Sequence, residues 1–383
     1  MGRHTRSRVE TPEKRLAYFE TMLKRLCTDL GPHPSGTRAY EKAAKLIHRE
    51  LATALPVAFL DRYLDFWAVL PRPDILHQGT RLNVAVAENC AGTSDAGFNG
   101  IIKKIDLDGI AYGIEDTATG KIAAHIAVSK EVSAQPAYLV GDAVLSLPRF
   151  TIGIRDVPFV ELLVKDKAQV QVRLRVVYAP EVPTYNVVGT LPGKHRDEIL
   201  FIAHADTVIQ TEGANDNTAT AIVMLMLAHA LSGTKPEYTV TFLIPGSEEY
   251  GLMGARHYVK RRQAEGTHRD LKFIVNSDSL TYGPNLWATT DDTALMDMVK
   301  AIIHADLGLK TEPIYEDKPC WMNDAAPFKG IHPNLRGINF NSRGYDTLAA
   351  NHTPDDHAAN VPGDCALSAF LVLRELIDLL QEM

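Results

Sequence analysis

The chain has 383 residues, enough for more than one domain, with 45% hydrophobic and 23% charged residues, an ordinary globular balance. A formal net charge of -7 gives no overall attraction to nucleic acid or anionic lipid, so partners recognised by bulk positive charge are set aside. No stretch approaches the ~18 apolar residues of a membrane span.

Cys27, Cys90, Cys320 and Cys365 lie far apart without a CxxC pair, against a disulfide framework or thiolate zinc site and in favour of a reducing compartment. The basic segment Met1–Val9 precedes no apolar run of the signal-peptide kind, and the expectation is a soluble, cytoplasmic protein.

Thr11-Pro12-Glu13 reads as a helix start: a capping hydroxyl, Pro in the first turn and an early acid. Leu16, Phe19, Leu23 and Leu26 recur at helical spacing until Gly31-Pro32. A second helix follows Pro34-Ser-Gly36, with Ala39, Ala43, Leu46, Ile47 and Leu51 on one face. Both are packing elements.

From about Pro56 to Tyr178 short apolar runs alternate with Gly, Pro and Asp turns, as in Arg81–Val86, Ile122–Val128, Phe159–Val164 and Val170–Val177. Such runs predict a separate β-rich module. Its polar residues, Asp106 and Asp108 and the lone His125, form no motif and read as solvated or turn positions.

After Pro183 the pattern becomes α/β. Glu198–Ala203, Thr239–Ile244, Leu271–Val275 and Gly337–Phe340 have the continuity of buried strands. Helical patterns at Thr218–Leu231, Ala255–Glu265, Thr293–Ala305 and Cys365–Leu380 lie between or after them. The predicted architecture is an α/β domain, residues 11–60 plus 181–383, with a mostly parallel central sheet flanked by helices. An inserted β-rich domain, residues 61–180, interrupts it.

In open α/β sheets ligands bind beyond the carboxyl ends of the strands. His204 ends Ile199-Leu-Phe-Ile-Ala203, Glu248-Glu249 follow Thr241–Ser247, and Asp278 ends Phe273-Ile-Val-Asn-Ser277. His204 and Asp206, two apart, share a face in extended backbone, where a carboxylate can fix the tautomer of a metal-ligating His. Each group also has an ordinary reading: His204-Ala-Asp206 as a surface pair, Asp216 in Gly213-Ala-Asn-Asp-Asn217 as a helix-entry turn, and Glu248-Glu249 as a solvated loop. Asp278 can likewise be a strand-end turn and His352 a loop histidine.

Taken together, His204, Asp216, Glu249, Asp278 and His352 offer two imidazoles and three carboxylates, a donor set suited to zinc. Three carboxylates and one hydroxide would neutralise two divalent cations, as a partly buried site favours. Glu249 then binds metal while Glu248 handles the proton. Gly246 and Gly251 are expected to let the backbone bend around the pair.

These residues resemble the co-catalytic di-zinc peptidases, the family of bacterial leucyl aminopeptidases, aminopeptidase Y, glutamate carboxypeptidase II and the transferrin receptor. The resemblance rests on Asn186-Val-Val-Gly-Thr-Leu-Pro-Gly193, His204-Ala-Asp206, Gly213-Ala-Asn-Asp-Asn217, Glu248-Glu249-Tyr-Gly251, Asn276-Ser-Asp278 and His352-Thr-Pro-Asp-Asp356, in that order. Asn323-Asp-Ala-Ala-Pro-Phe328 and Pro34-Ser-Gly-Thr37 are similar too, while Thr220 stands where the family often has Gly.

The resemblance implies one zinc on His204 and Asp278, a second on Glu249 and His352, and Asp216 bridging them. Glu248 would be the general base and Asp206 the support of His204. It further implies two zinc ions per chain, a peptide substrate, no nucleic-acid or membrane partner, and exopeptidase activity, foremost that of an aminopeptidase. A carboxypeptidase, a glutaminyl cyclase and a non-catalytic binding protein are the alternatives. Ile152–Phe159 and Val170–Val177 make the insertion similar to a protease-associated domain.

Overall fold

The computed structural model describes residues 8–69, 74–86, 90–107, 110–129, 134, 146–209, 211–283, 285–305, 313–342 and 350–383. The sequence readings at residues 1–7 and at Asp108 lie outside them. In chain order the structure begins with helices α1 (Pro12–Leu23) and α2 (Arg38–Ala54) and strand β1 (Val57–Val69).

Next come β2 (Asp74–His77), β3 (Thr80–Arg81), β4 (Ala85–Val86), β5 (Phe98–Leu107), β6 (Ile110–Asp116), β7 (Ile122–Val128), β8 (Arg149–Ile152), α3 (Val157–Lys165) and β9 (Gln169–Arg173). Then follow β10 (Val177–Leu191), β11 (His195–Ile202), α4 (Ala219–Leu231), β12 (Tyr238–Ile244), α5 (Met253–Ala264) and β13 (Leu271–Ser277). The chain closes with β14 (Trp287–Thr289), α6 (Thr293–His304), β15 (Ile314–Glu316), β16 (Arg336–Asn341) and α7 (Gly363–Leu380).

Contacts divide the chain into two compact units, one of residues up to 64 with 183–383 and the other of residues 65–182. The first is built on a sheet of order β1-β10-β12-β11-β13-β16-β14-β15. Its four central strands β12, β11, β13 and β16 run parallel, while β10 and β14 run antiparallel to their inner neighbours. Side chains alternate between the two faces. Ile199 and Phe201 of β11 join a core with α4, whereas Leu200 and Ile202 pack with Ala255, Tyr258 and Val259 of α5 and with Phe328.

Because both faces are covered, the inner stretches Ile199–Ile202 of β11, Phe242–Ile244 of β12 and Phe273–Val275 of β13 are apolar without a break, the pattern that marks buried strands. Every residue of α4 except Ala230 is buried, which is why its sequence, Ala-Thr-Ala-Ile-Val-Met-Leu-Met-Leu-Ala-His-Ala-Leu, has no polar stripe. Removing one such core side chain, as in Phe201→Ala, costs about 3–5 kcal/mol. That rigidity fixes the strand ends on which the site is built. The outer helices show their caps plainly: Thr11 Oγ accepts the Lys14 N–H at 3.3 Å, and Thr37 Oγ that of Tyr40 at 3.0 Å.

The second unit holds a sheet of order β3-β2-β9-β5-β6-β7-β8-β4, in which β7 and β8 pair in parallel. Strand β9 alternates, with Val170 and Val172 buried between exposed Gln169, Gln171 and Arg173. Two expectations fail in this unit. The run Phe159–Val164 lies in helix α3, not in a strand: Pro158 sits in its first turn, and Val160 and Leu163 are buried three residues apart. An apolar run this short fits either period, and the helical spacing of the buried positions is visible only once packing is known. Arg81–Val86 is likewise not one strand but the end of β3 and, after a gap, β4. Among the described residues no helix is long and apolar enough to cross a membrane.

Candidate metal centre

Three of the central strands, β11, β12 and β13, lead to polar groups at the same sheet edge. Beyond β11 the backbone stays alongside the extension of β12, with the Ala205 N–H donating to the Pro245 carbonyl at 3.1 Å, and His204 is buried at 1% exposure. Its Nδ1 lies 3.1 Å from the Asp206 backbone oxygen and 3.6 Å from Asp206 Oδ1. The backbone carbonyl therefore orients the ring more closely than the carboxylate does. Asp206 Oδ1 instead accepts the Glu248 N–H at 3.1 Å, joining the His204 and Glu248 loops.

Asp216 sits in a turn, Ala214–Thr218, that follows Gly213 in the left-handed region at φ 56°. A Cβ on Gly213 would lie 2.5 Å from Thr207 Cγ2 and 2.6 Å from the Asp216 carbonyl, so only glycine fits. Asn217 grips the next ligand loop: its Nδ2 donates to the Ser277 carbonyl at 3.0 Å and its Oδ1 accepts the Ser279 N–H at 3.0 Å. On the other side Asp356 accepts the N–H groups of Asn215 at 2.7 Å and Asp216 at 3.1 Å. Thr218, at the head of α4, makes no side-chain cap; its hydroxyl lies 3.4 Å from His33 Nε2.

Glu248 and Glu249 follow β12 on a loop whose left-handed residues are Ser247 (φ 56°), Gly251 (φ 101°) and Leu252 (φ 62°). Gly246, expected to supply a bend, has another reason to be glycine, since a Cβ there would lie 2.5 Å from the Tyr40 hydroxyl. The Tyr63 hydroxyl donates to the Gly246 carbonyl at 2.9 Å, and Asn186 Nδ2 donates to that of Gly254 at 2.9 Å. Asp278 continues β13 for one more rung, its N–H on the Phe340 carbonyl at 3.0 Å. Ser279 Oγ donates to its Oδ1 at 2.9 Å and Asn323 Nδ2 to its Oδ2.

These groups converge. His204 Nε2 is 3.4 Å from Asp216 Oδ1, 3.8 Å from Asp278 Oδ1 and 3.9 Å from Glu248 Oε2. His352 Nε2 is 3.1 Å from Asp216 Oδ2 and 3.2 Å from Glu249 Oε2. Two sets result, His204–Asp216–Asp278 and Asp216–Glu249–His352, each with its donor atoms within 4.8 Å of one another. Asp216 is common to both.

Electrostatically the cluster asks for cations. Burial pushes the Glu248 carboxyl well above the usual carboxylate range; His204 opposes this, and Asp278, Asp324 and Glu249 reinforce it. Burial opposes charge on His204, yet Glu248, Asp206, Asp216 and Asp278 outweigh it and raise its pKa. Burial also raises Asp324, with Asp206, Asp278 and Glu249 adding to it against His204. His204 Nε2, fully buried, has no hydrogen-bond partner among the described residues. An imidazole nitrogen aimed into crowded carboxylates fits a divalent cation, and nitrogen with oxygen donors suits zinc. In the sequence Asp356 and Asn323-Asp324 stand out only as parts of motifs, and nothing there foretells what they touch. Their partners are distant in the chain, so no local spacing could reveal them.

Comparison with known proteins adds to this. The chain is 26% identical over 275 residues to aminopeptidase YwaD of Bacillus subtilis, a match covering 66% of this chain and 59% of that protein. It thus accounts for less than two thirds of that relative's length. In structure it is similar to BSAP, a zinc aminopeptidase from Bacillus subtilis, with TM-score 0.74, 19% identity and 94% of each chain covered. It is also similar to a peptidase M28 precursor from Shewanella amazonensis SB2B, with TM-score 0.76, 16% identity and coverage of 96% of this chain and 94% of that one. At these identities the two structures speak for the fold. The profile of peptidase family M28 matches residues 186–377, half of the chain and the span that holds both ligand sets and Glu248, and the chain belongs to that family.

Proposed function

We propose that this chain is a zinc-dependent aminopeptidase, an exopeptidase that releases residues from the free N-termini of peptides. The observation that carries the reading is the pair of His–carboxylate sets sharing Asp216, with Glu248 alongside. One zinc would be held by His204 and Asp278, a second by Glu249 and His352, and both by Asp216. Zinc, when bound, supplies a Lewis acid for the scissile carbonyl and makes water acidic near neutral pH.

The chain's own residues do the rest. Glu248 takes the proton of the attacking water and delivers it to the leaving amine. Its backbone N–H is pinned by Asp206 Oδ1, which keeps the carboxylate beside His204. The Asp206 carbonyl orients His204, and Ser279 with Asn323 orients Asp278, leaving the ligands few other rotamers. Family membership and the aminopeptidases among its relatives support the same reading.

The test is mass spectrometry of a mixed peptide pool incubated with zinc-loaded protein, with free and acetylated N-termini in parallel. Stepwise loss from free N-termini alone is expected. Loss from C-termini would make the protein a carboxypeptidase of the same chemistry. Ring closure of N-terminal glutamine without loss of a residue would make it a cyclase, and an untouched pool would leave a binding protein.

A further inference from the structure

Asp356 lies four residues past His352, is fully buried, and belongs to neither ligand set. Its hydrogen bonds run to the loop that carries Asp216. Oδ1 accepts the Asn215 backbone N–H at 2.7 Å and the Asn215 side-chain amide at 3.1 Å. Oδ2 accepts the Asp216 N–H at 3.1 Å, and the Asp356 carbonyl accepts the Thr211 hydroxyl at 3.1 Å. Two residues further on the same loops meet again, where the Ala358 N–H donates to Glu212 Oε2 at 3.0 Å.

The turn bearing Asp216 therefore has two anchors. Asn217 ties it to Ser277 and Ser279, which flank Asp278. Asp356 ties it to the segment of His352. The first anchor serves the set His204–Asp216–Asp278 and the second serves Asp216–Glu249–His352. Resting on the two-zinc reading above, we infer that Asp356 is a positioning residue that sets the affinity of one metal ion, the one held on the Glu249 and His352 side, and leaves the other to the Asn217 anchor.

Asp356→Asn isolates this role. The Asn oxygen can still receive both Asn215 donors, but its NH2 group would face the Asp216 N–H, donor against donor. The partners that orient ligands are commonly worth 10–100-fold in metal affinity.

The experiment is chelator competition on the full chain with zinc alone, resolving two dissociation constants, together with stepwise cobalt(II) loading followed by absorption spectroscopy. The expected result for Asp356→Asn is a rise of about 10–100-fold in one dissociation constant, the one that His352→Ala abolishes, with the other within about threefold of the unaltered chain. The spectrum of one cobalt equivalent should change while that of the other is kept. A general loss of structure would move both constants and both spectra together, and that outcome, or no movement in either, overturns the inference.

If Asp356→Asn does not fold, Thr211→Val leaves the Asp356 carboxylate bonds in place and removes the tether to the Asp356 carbonyl together with the acceptor of the Gly213 N–H at 3.1 Å. A smaller rise in the same single constant then supports the role, and unchanged constants overturn it. An unaltered chain that binds fewer than two ions overturns the two-zinc reading and this inference with it. Two ions in the unaltered chain and unmoved constants in the variants overturn the inference alone.

Discussion

At the amino-terminal edge of the parallel strands Glu198 receives both Arg262 Nη1 at 3.0 Å and Nη2 at 2.6 Å, and Asp292 receives Arg336 Nε at 2.5 Å and Nη2 at 2.8 Å. At the carboxyl-terminal edge Asp206, Asp216, Glu248, Glu249, Asp278 and Asp324 crowd around two histidines, and Glu248 and Asp324 are held well above the usual carboxylate range by burial first. One sheet thus carries two kinds of acid. Those matched by arginine in fork geometry contribute to folding. Those that raise one another's pKa oppose folding at neutral pH unless a cation arrives, and such an arrangement persists where it serves chemistry.

The largest effect belongs to the carboxyl edge. Glu248→Gln should lower kcat by about 10²–10⁴-fold while two zinc ions are retained, as checked by steady-state rates and metal analysis of the same preparation. The comparison adds a second readout. A carboxyl whose folded pKa is raised contributes fully to stability below its unfolded value and loses that contribution as pH rises toward the folded one. The metal-free Glu248→Gln chain should therefore be at least as heat-stable at neutral pH as the unaltered metal-free chain. A lower melting temperature would assign Glu248 to structure and erase the contrast between the edges.

His352→Ala acts on one ligand set only. The zinc content should fall from two to one per chain, as read by metal analysis, because His352 belongs to the Asp216–Glu249–His352 set alone. Two ions retained after chelation and reloading would remove His352 from the centre.

At the opposite edge the signs reverse. Arg262→Ala strands the buried Glu198 carboxylate and frees the Tyr258 hydroxyl that Arg262 Nη1 contacts at 2.7 Å. A loss of about 3–5 kcal/mol in urea unfolding is expected, with zinc content unaltered. If zinc were lost while the chain stayed folded, the two edges would be coupled, and the division of labour between them would fail.

The same contrast explains which parts of the site and the fold are legible in the sequence. His204, Glu248, Glu249 and Asp278 stand out because each comes shortly after a short apolar run of strand length, and both faces of the sheet are covered along those runs. A polar group after such a run has a defined edge to stand on. What packing decides is not legible. Phe159–Val164 is helical because Val160 and Leu163 are the buried positions, yet Phe159 and Leu162 are equally apolar and exposed. Ser247 and Leu252, not Gly246, take up left-handed backbone around the Glu pair, since the turn is imposed by contacts from Asn186, Tyr63 and Asp206. Asp356 reaches Asn215 across 141 positions of sequence, beyond any local pattern.

The smallest expected effect tests the pairing rule itself. Asp292 has two tasks: it caps α6 by accepting the Leu295 N–H at 3.1 Å, and it receives Arg336. Asn caps helices as well as Asp does, so Asp292→Asn keeps the first task and weakens the second. Hydrogen bonds from Arg336 hold the Asp292 carboxyl below the usual range, against the opposing pull of partial burial. A depressed carboxyl binds its proton less readily folded than unfolded. The stabilisation is therefore whole above about pH 4, the ordinary aspartate value, and is lost as pH falls through the lower folded one. Urea unfolding should show the variant weaker by about 1 kcal/mol at neutral pH and equal to the unaltered chain in acid. A gap that persisted in acid would belong to the cap or to packing, and the arginine would then not be what makes an acid at this edge a folding group.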